Sequence, residues 1–316
     1  MRILRITGII AAAVLSAYAA LRIAAPSGEP VRFVIKPGMT GEEIAGSLRD
    51  EGLICSRQSF LTLLRVTGTG NRIRAGTYEL KKNTLGIGIL NKIVSGKTVM
   101  LKLVVPEGFT ACEIASLVDI LKPGSKDEFM KAVNDEKLEG FLFPETYLIS
   151  PDLGVRSIID CMLRQFGKAL TADMIRTAKE KYKFTEKDIV TLASMIEKEA
   201  RDKNERNLIS AVFHNRLRKR YYLESCATVM YALGIHKGNL TYKDLQVSSP
   251  YNTYRHLGLP PGPICNPGLD SLKAAVYPAD SDVMFFVARG DGTHDFSKDY
   301  MHHLDIQKEK RHNGMD

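Results

Sequence analysis

The sequence predicts an α+β fold: an apolar N-terminal helix, a small α+β module, and a larger mixed α+β domain rich in helices. Three observations carry that expectation. Short β-type runs at 31–35, 75–80, 99–105 and 283–288 are separated by stretches whose apolar residues recur at helical spacing. Helical patterns dominate from Val155 to about Tyr222. The chain's 316 residues, 44% of them hydrophobic, exceed one average domain and supply material for more than one core.

The elements follow in order. Arg2 and Arg5 precede an uncharged run at 6–21, and apolar character resumes after Arg22 through Ala25. Counted to Ala25, the run supplies about 20 residues, enough to cross roughly 30 Å of hydrocarbon as a helix. Residues 1–25 are therefore read as a single membrane anchor, with the arginines predicting a cytoplasmic N-terminus. Ala17-Tyr18-Ala19 has the small-x-small form of a signal-peptide cleavage site, which is the rival reading. Under both readings everything after about Pro26 is exported.

Residues 30–98 form the first folded module. A strand at 31–35 meets a Pro37-Gly38 turn, and Thr40 to Glu43 opens a helix carrying Ile44 and Leu48. A second helix holds Phe60, Leu61, Leu63 and Leu64. A strand at 75–80 follows, and a third helix at 87–93 ends near Gly96. The second domain is assigned to 99–316. It begins with a strand at 99–105 and a helix capped by Thr110 through Ile114, Leu117 and Leu121. Residues 138–147 are too rich in Gly, Pro and aromatics for an ordinary helix and read as a shaped loop or short strand. Residues 248–268 contain Pro250, Pro260, Pro261, Pro263 and Pro267, so most of that stretch is irregular, as binding loops are. A strand at 283–288 and the Gly290-Asp291-Gly292 turn predict a hairpin to Asp295 and Phe296.

Charge and composition exclude several function classes. A net charge of +8 comes with no nucleic-acid signature, so in an exported chain an anionic surface or polymer is the expected partner and nucleic acid is not. Five cysteines lack CxxC spacing, indicating neither a zinc site nor a disulfide framework. His294, His302, His303 and Asp299 match no zinc signature. No metal or cofactor is expected. Tryptophan is absent, which argues against a simple lectin and leaves Tyr and Phe for sugar contacts.

The chemistry points to one helix. Thr185 and Asp188 have capping-box spacing, and Ile189, Leu192, Ala193 and Ile196 fall on one face behind them. Glu197 and Glu199 lie about 200° apart on the wheel and project to opposite flanks of that stripe. Glu199 borders the stripe near the helix C-terminus, where partial burial and the negative dipole end raise a carboxyl pKa, as a general acid requires. Glu197 has Arg201 one turn on as a pairing partner that keeps it ionised. Geometry alone leaves both as candidates, and solvated surface glutamates as the plainer reading. Asn215 borders the apolar stripe of the next helix, where its amide either binds an acetamido group or caps a neighbour. Tyr251, Asn252, Thr253 and Tyr254 offer stacking and hydrogen bonds beside the proline-rich loop, and are read as substrate-binding. Arg216, Arg218, Lys219 and Arg220 read as a solvated helix end.

The segment from Thr191 to Ala200, with its Glu-Lys-Glu triplet, resembles the catalytic helix of the YceG-like (MltG) endolytic murein transglycosylases. Further family-like strings follow in order: Val105-Pro106-Glu107-Gly108, the 138–147 run, Asn215-Arg216-Leu217, Tyr251-Asn252-Thr253-Tyr254, the Gly258 to Ile264 run, Asn266-Pro267-Gly268, and Ser271-Leu272-Lys273-Ala274-Ala275. The resemblance spans about residues 30–305. It implies a LysM-like module before a YceG-like catalytic domain, a single membrane helix, and a catalytic glutamate carried onto Glu199, with Glu197 as fallback. It also implies peptidoglycan glycan strands as substrate and wall synthases as partners. The implied reaction is non-hydrolytic cleavage of the MurNAc–GlcNAc bond to 1,6-anhydro ends on nascent strands. A hydrolytic muramidase and a noncatalytic wall-binding scaffold are the competing functions. One stretch departs from the family pattern: Leu223-Glu224-Ser225-Cys226-Ala227-Thr228 stands where Leu-Gln-Ser-Asp-Pro-Thr is usual.

Overall fold

The computed structural model describes residues 29–82, 84–235 and 240–312. The expected anchor at 1–25 lies outside them. Among the described residues no helix is long and apolar enough to cross a membrane. Strands pair two by two, β1 (Pro30–Ile35) with β2 (Gly76–Lys81), β3 (Leu101–Val104) with β4 (Thr146–Ile149), and β5 (Phe285–Ala288) with β6 (His294–Ser297). The chain divides into two compact units, one running to Leu101 and taking in Leu148–Leu153, the other comprising Lys102–Tyr147 and Gly154–Asp316. The return of 148–153 to the first unit has no sequence signal. There the Thr77 hydroxyl donates to the Asp152 carboxylate, a pairing across 75 residues.

In the first unit β1 and β2 run antiparallel with Phe33 opposite Tyr78. Helices α1 (Gly41–Asp50), α2 (Arg57–Thr67) and α3 (Gly86–Ser95) join them in one core built on Phe33, Ile44, Leu48, Phe60, Tyr78 and Ile93. Thr40 and Glu43 form a reciprocal capping box at the start of α1.

The second unit contains α4 (Ala111–Leu121), α5 (Lys126–Glu136), α6 (Val155–Ala169), α7 (Ala172–Tyr182), α8 (Glu186–Glu199), α9 (Arg206–Arg218), α10 (Cys226–Leu233), α11 (Leu269–Val276) and α12 (Tyr300–His312). The expected strands at 99–105 and 283–288 are shorter than their hydrophobic runs. Helix ends before Tyr222, because the chain leaves α9 through Arg220 at a φ of 56°.

Helix α8 is the centre of this unit. Its N-terminus carries the predicted capping box of Thr185 and Asp188. Every residue from Ile189 to Ile196 is buried, which corrects the expectation of a single inner face. The reason lies in its two polar residues. The Thr191 hydroxyl donates to the Lys187 carbonyl at 2.7 Å, and the Ser194 hydroxyl donates to the Thr191 carbonyl at 2.7 Å while accepting the Ile264 amide at 3.0 Å. With their hydrogen bonds satisfied, both are buried at little cost, and the 260–266 loop covers Ser194.

That loop is irregular, as predicted, and Asn266 fastens it. Its side chain accepts from Leu142 N–H at 2.8 Å and donates to Phe109 O at 2.9 Å, and its carbonyl receives Gly108 N–H at 2.9 Å. Three motif strings far apart in sequence thus meet at one buried amide. Gly140 sits in the same junction at a φ of +88°, where an added Cβ would lie 2.4 Å from Pro263 Cβ and 2.8 Å from Val190 Cγ1. Left-handed backbone and overpacking both act there. Gly140→Ala is expected to destabilise the fold by roughly 2–5 kcal/mol, read by denaturant unfolding; a variant within about 0.5 kcal/mol of the parent contradicts this packing.

Candidate active site

Glu199 is the last residue of α8, and Ala200 turns the chain out of the helix. The residue is partly buried. Burial is the largest influence on its carboxyl and pushes the pKa above the ordinary carboxylate range. The Ser225 hydroxyl donates to Oε1 at 2.5 Å. That bond, the charge of His294, the Ala227 amide and the charge of Arg216 act in the opposite direction. The carboxyl therefore lies between the C-terminal end of α8 and the first turn of α10, whose N-terminal dipole favours an anion.

The supports of this site come from distant segments. Arg216 is buried, with Nε donating to Met284 O at 2.8 Å and Nη1 to Leu223 O at 2.9 Å. It also pairs with Glu224 at 3.2 Å and lies 5.1 Å from the Phe285 ring centroid. This corrects the expectation that Arg216 belongs to a solvated helix end. The buried guanidinium instead holds the 222–224 segment that delivers Ser225. His294 pairs through Nδ1 with Glu205 at 2.7 Å, so that nitrogen carries the hydrogen and donates to the carboxylate.

Glu197 has a different environment. Its Oε1 accepts from Arg206 Nη2 at 2.9 Å and its Oε2 from Gly268 N–H at 2.9 Å, and both side chains of the ion pair are at most 6% exposed. The partner is thus Arg206, not the expected Arg201. Helix α8 stops at Glu199, so Arg201 does not continue its face, and the chain returns through a short turn at 203–205 to bring Arg206 alongside.

The predicted substrate-binding residues separate into two groups. Asn215 Nδ2 donates to Ser281 O and Val283 O at 2.9 and 2.8 Å, and its Oδ1 accepts from Arg218 at 2.8 Å. Asn252 Nδ2 donates to Leu245 O and Val247 O, both at 2.9 Å, and its Oδ1 accepts from Tyr254 N–H at 3.0 Å. Thr253 is buried and accepts Ser225 N–H at 3.0 Å. These three have side-chain polar atoms hydrogen-bonded within the protein. Tyr254 stays near Glu199, its hydroxyl 3.1 Å from the exposed Cys226 Sγ. Tyr251 lines a cavity of about 850 Å³ with Glu139, Lys187, Lys198, Tyr231 and Pro261. Ala227 borders the same cavity and is the residue whose amide reaches Glu199.

Glu139 was not singled out by sequence, and neither were Ser225, Arg206 and His294 as site residues. Its carboxylate accepts Ala111 N–H at 3.0 Å and Asn266 Nδ2 at 3.1 Å. Burial nonetheless pushes its pKa up to about 7. A carboxyl whose folded pKa is raised contributes stability that is full below the unfolded value and is lost as pH rises through the folded one. The parent is therefore expected to lose thermal stability between about pH 4.5 and about pH 7, and Glu139→Gln to flatten that slope in melting curves recorded across the window. An unchanged slope contradicts the assignment.

The YceG-like family model matches residues 33–309, nearly the whole described chain. The chain belongs to the YceG-like family. Family relatives include the endolytic murein transglycosylase of Bacillus subtilis, 33% identical over 300 residues, which cover 86% of this chain and 82% of the relative. The endolytic murein transglycosylase of Streptococcus pneumoniae is 31% identical over 310 residues, covering 85% of this chain and 56% of the longer relative. A yceG-like protein of Listeria monocytogenes has a crystal structure that aligns with a TM-score of 0.57 at 34% identity, over 89% of this chain and 99% of that one. The family match includes α8, the Asn266 junction and the Ser225 segment.

Proposed function

We propose that this chain is an endolytic murein transglycosylase and that Glu199 is its acid/base. The observation that carries the reading is a partly buried carboxyl of raised pKa, held by Ser225 at the end of a buried helix, in a chain 33% identical to an enzyme of that name. A raised pKa favours the protonated carboxyl relative to an ordinary glutamate, which is the form that acts as an acid. The buried Arg216 guanidinium is a cationic neighbour that stabilises the carboxylate left after proton transfer.

The proposed reaction suits one such group. Protonated Glu199 gives its proton to the glycosidic oxygen between N-acetylmuramic acid and N-acetylglucosamine as the C1–O bond breaks. The C6 hydroxyl of the muramyl sugar then attacks C1, and Glu199 takes that hydroxyl's proton, closing a 1,6-anhydro ring. No water enters, so no second carboxylate is required to activate one, unlike in hydrolytic glycosidases. The cavity beside Ala227, with the Tyr231 and Tyr251 rings 5.0 Å apart, is assigned to the substrate. Aromatic faces suit the apolar faces of sugars.

The 1–25 run supports a location at the cell membrane, single-pass, with the catalytic unit outside the cytoplasm. The first unit, a two-stranded sheet with helices around its own core, supports the LysM-like reading as a wall-binding module. Nascent glycan strands as substrate and wall synthases as neighbours are part of the same proposal. Mass spectrometry of glycan strands digested by the purified chain tests the function. Products one water lighter than hydrolytic fragments are expected; hydrolytic masses indicate a muramidase, and wall binding without cleavage indicates a scaffold.

A further inference from the structure

Ser225 occupies the N-cap position of α10, where a serine hydroxyl normally accepts a hydrogen bond from the backbone of the first turn. Here it makes no such bond. The hydroxyl points back to Glu199 Oε1 at 2.5 Å. The capping contribution, typically about 1 kcal/mol, is forgone for a contact with the carboxyl.

The backbone around Ser225 is clamped so that this contact persists. Thr228 Oγ1 donates to Ser225 O at 2.7 Å, which uses its one hydrogen. In the 2.9 Å pair between Thr228 Oγ1 and Thr253 Oγ1, Thr253 is then the donor. Thr253 Oγ1 in turn accepts Ser225 N–H at 3.0 Å. Both threonines are buried, at 0% and 1% exposure, and Ser225 itself is 2% exposed. The serine is held at its N–H and at its C=O, and its own hydrogen is left for Glu199.

We propose that Ser225 is a positioning residue for the acid/base: by donating to Oε1 it fixes the Glu199 rotamer and leaves the acidic proton on Oε2. The proposal rests on Glu199 being the acid. A protonated carboxyl has one hydroxyl oxygen and one carbonyl oxygen, and the carbonyl oxygen is the one suited to accept. Thr253, expected from sequence to bind substrate, acts through Ser225 instead.

The test is the pH dependence of glycan cleavage by the full chain and its variants, with thermal melting as a folding control. Cleavage requires protonated Glu199, so the parent rate falls as pH rises through its pKa. The Ser225 bond lowers that pKa, so Ser225→Ala moves the fall to higher pH while reducing kcat by roughly 10- to 100-fold, the scale of a hydrogen bond to a charged group. Ser225→Thr keeps the hydroxyl and is expected to return the fall to the parent pH. Thr253→Val, which loosens the serine without removing it, moves the fall in the same direction as Ser225→Ala and carries the test if that variant does not fold. A Ser225→Ala enzyme with the parent's rate and pH profile, or a Ser225→Thr enzyme that behaves like Ser225→Ala, overturns the inference. If the parent cleaves no glycan, or Glu199→Gln cleaves normally, the underlying reading of the site fails instead.

Discussion

Glu199→Gln is expected to reduce glycan cleavage by roughly 10²- to 10⁴-fold, the contribution of a positioned general acid/base, while the protein stays folded. The amide is close in size and retains an oxygen to accept from Ser225, so that hydrogen bond survives. Burial disfavours the ionised carboxylate at this position, and an uncharged amide avoids that cost. Melting temperature is therefore expected to hold or rise. Activity assays paired with melting curves separate the two effects. A cleaving Glu199→Gln enzyme removes this residue from the mechanism.

Glu197→Ala is expected to show the opposite pattern, a large loss of stability with chemistry retained in the folded fraction. Its carboxylate neutralises Arg206, whose side chain is 4% exposed and donates through Nε to Ser271 at 3.0 Å. The Nη1 atom of Arg206 is buried without a hydrogen-bond partner among the described residues. Removing Glu197 leaves the buried guanidinium with only the half-exposed Glu107 carboxylate, 3.7 Å from Nη2, and breaking a buried pair costs up to roughly 3–5 kcal/mol. It also frees the Gly268 amide at the start of α11, the helix that packs along α8. Denaturant unfolding measures the loss. Replacing both partners with apolar residues of similar volume is expected to recover much of it. If Glu197→Ala melts with the parent yet does not cleave, the two glutamates have been assigned the wrong way round.

The two glutamates also show what the sequence could and could not reveal. Helical spacing and the Thr185–Asp188 cap placed α8 and put Glu199 at its end, because those signals are local. Spacing could not rank Glu197 against Glu199. The partners that give the two different environments, Arg206, Gly268 and Ser225, arrive through tertiary contacts separated by 9, 71 and 26 residues. The internal partners of the polar residues expected to meet substrate were hidden for a related reason. Asn215, Asn252 and Thr253 satisfy buried backbone groups of irregular segments, a demand that exists only once those segments are folded. Glu139 carried no periodic signal, and its significance comes from burial at the Asn266 junction. The proline-rich loop was legible as irregular, whereas its role as the cover over α8 depends on Ser194 reaching the Ile264 amide 70 residues on.

Digestion of glycan strands in ¹⁸O-labelled water distinguishes non-hydrolytic cleavage by Glu199 from hydrolysis. Anhydro-ended products without solvent oxygen are expected from the parent, and from Glu199→Gln at a rate lowered roughly 10²- to 10⁴-fold. Products carrying one ¹⁸O at each new reducing end, or unlabelled anhydro products from Glu199→Gln in parental yield, would contradict it.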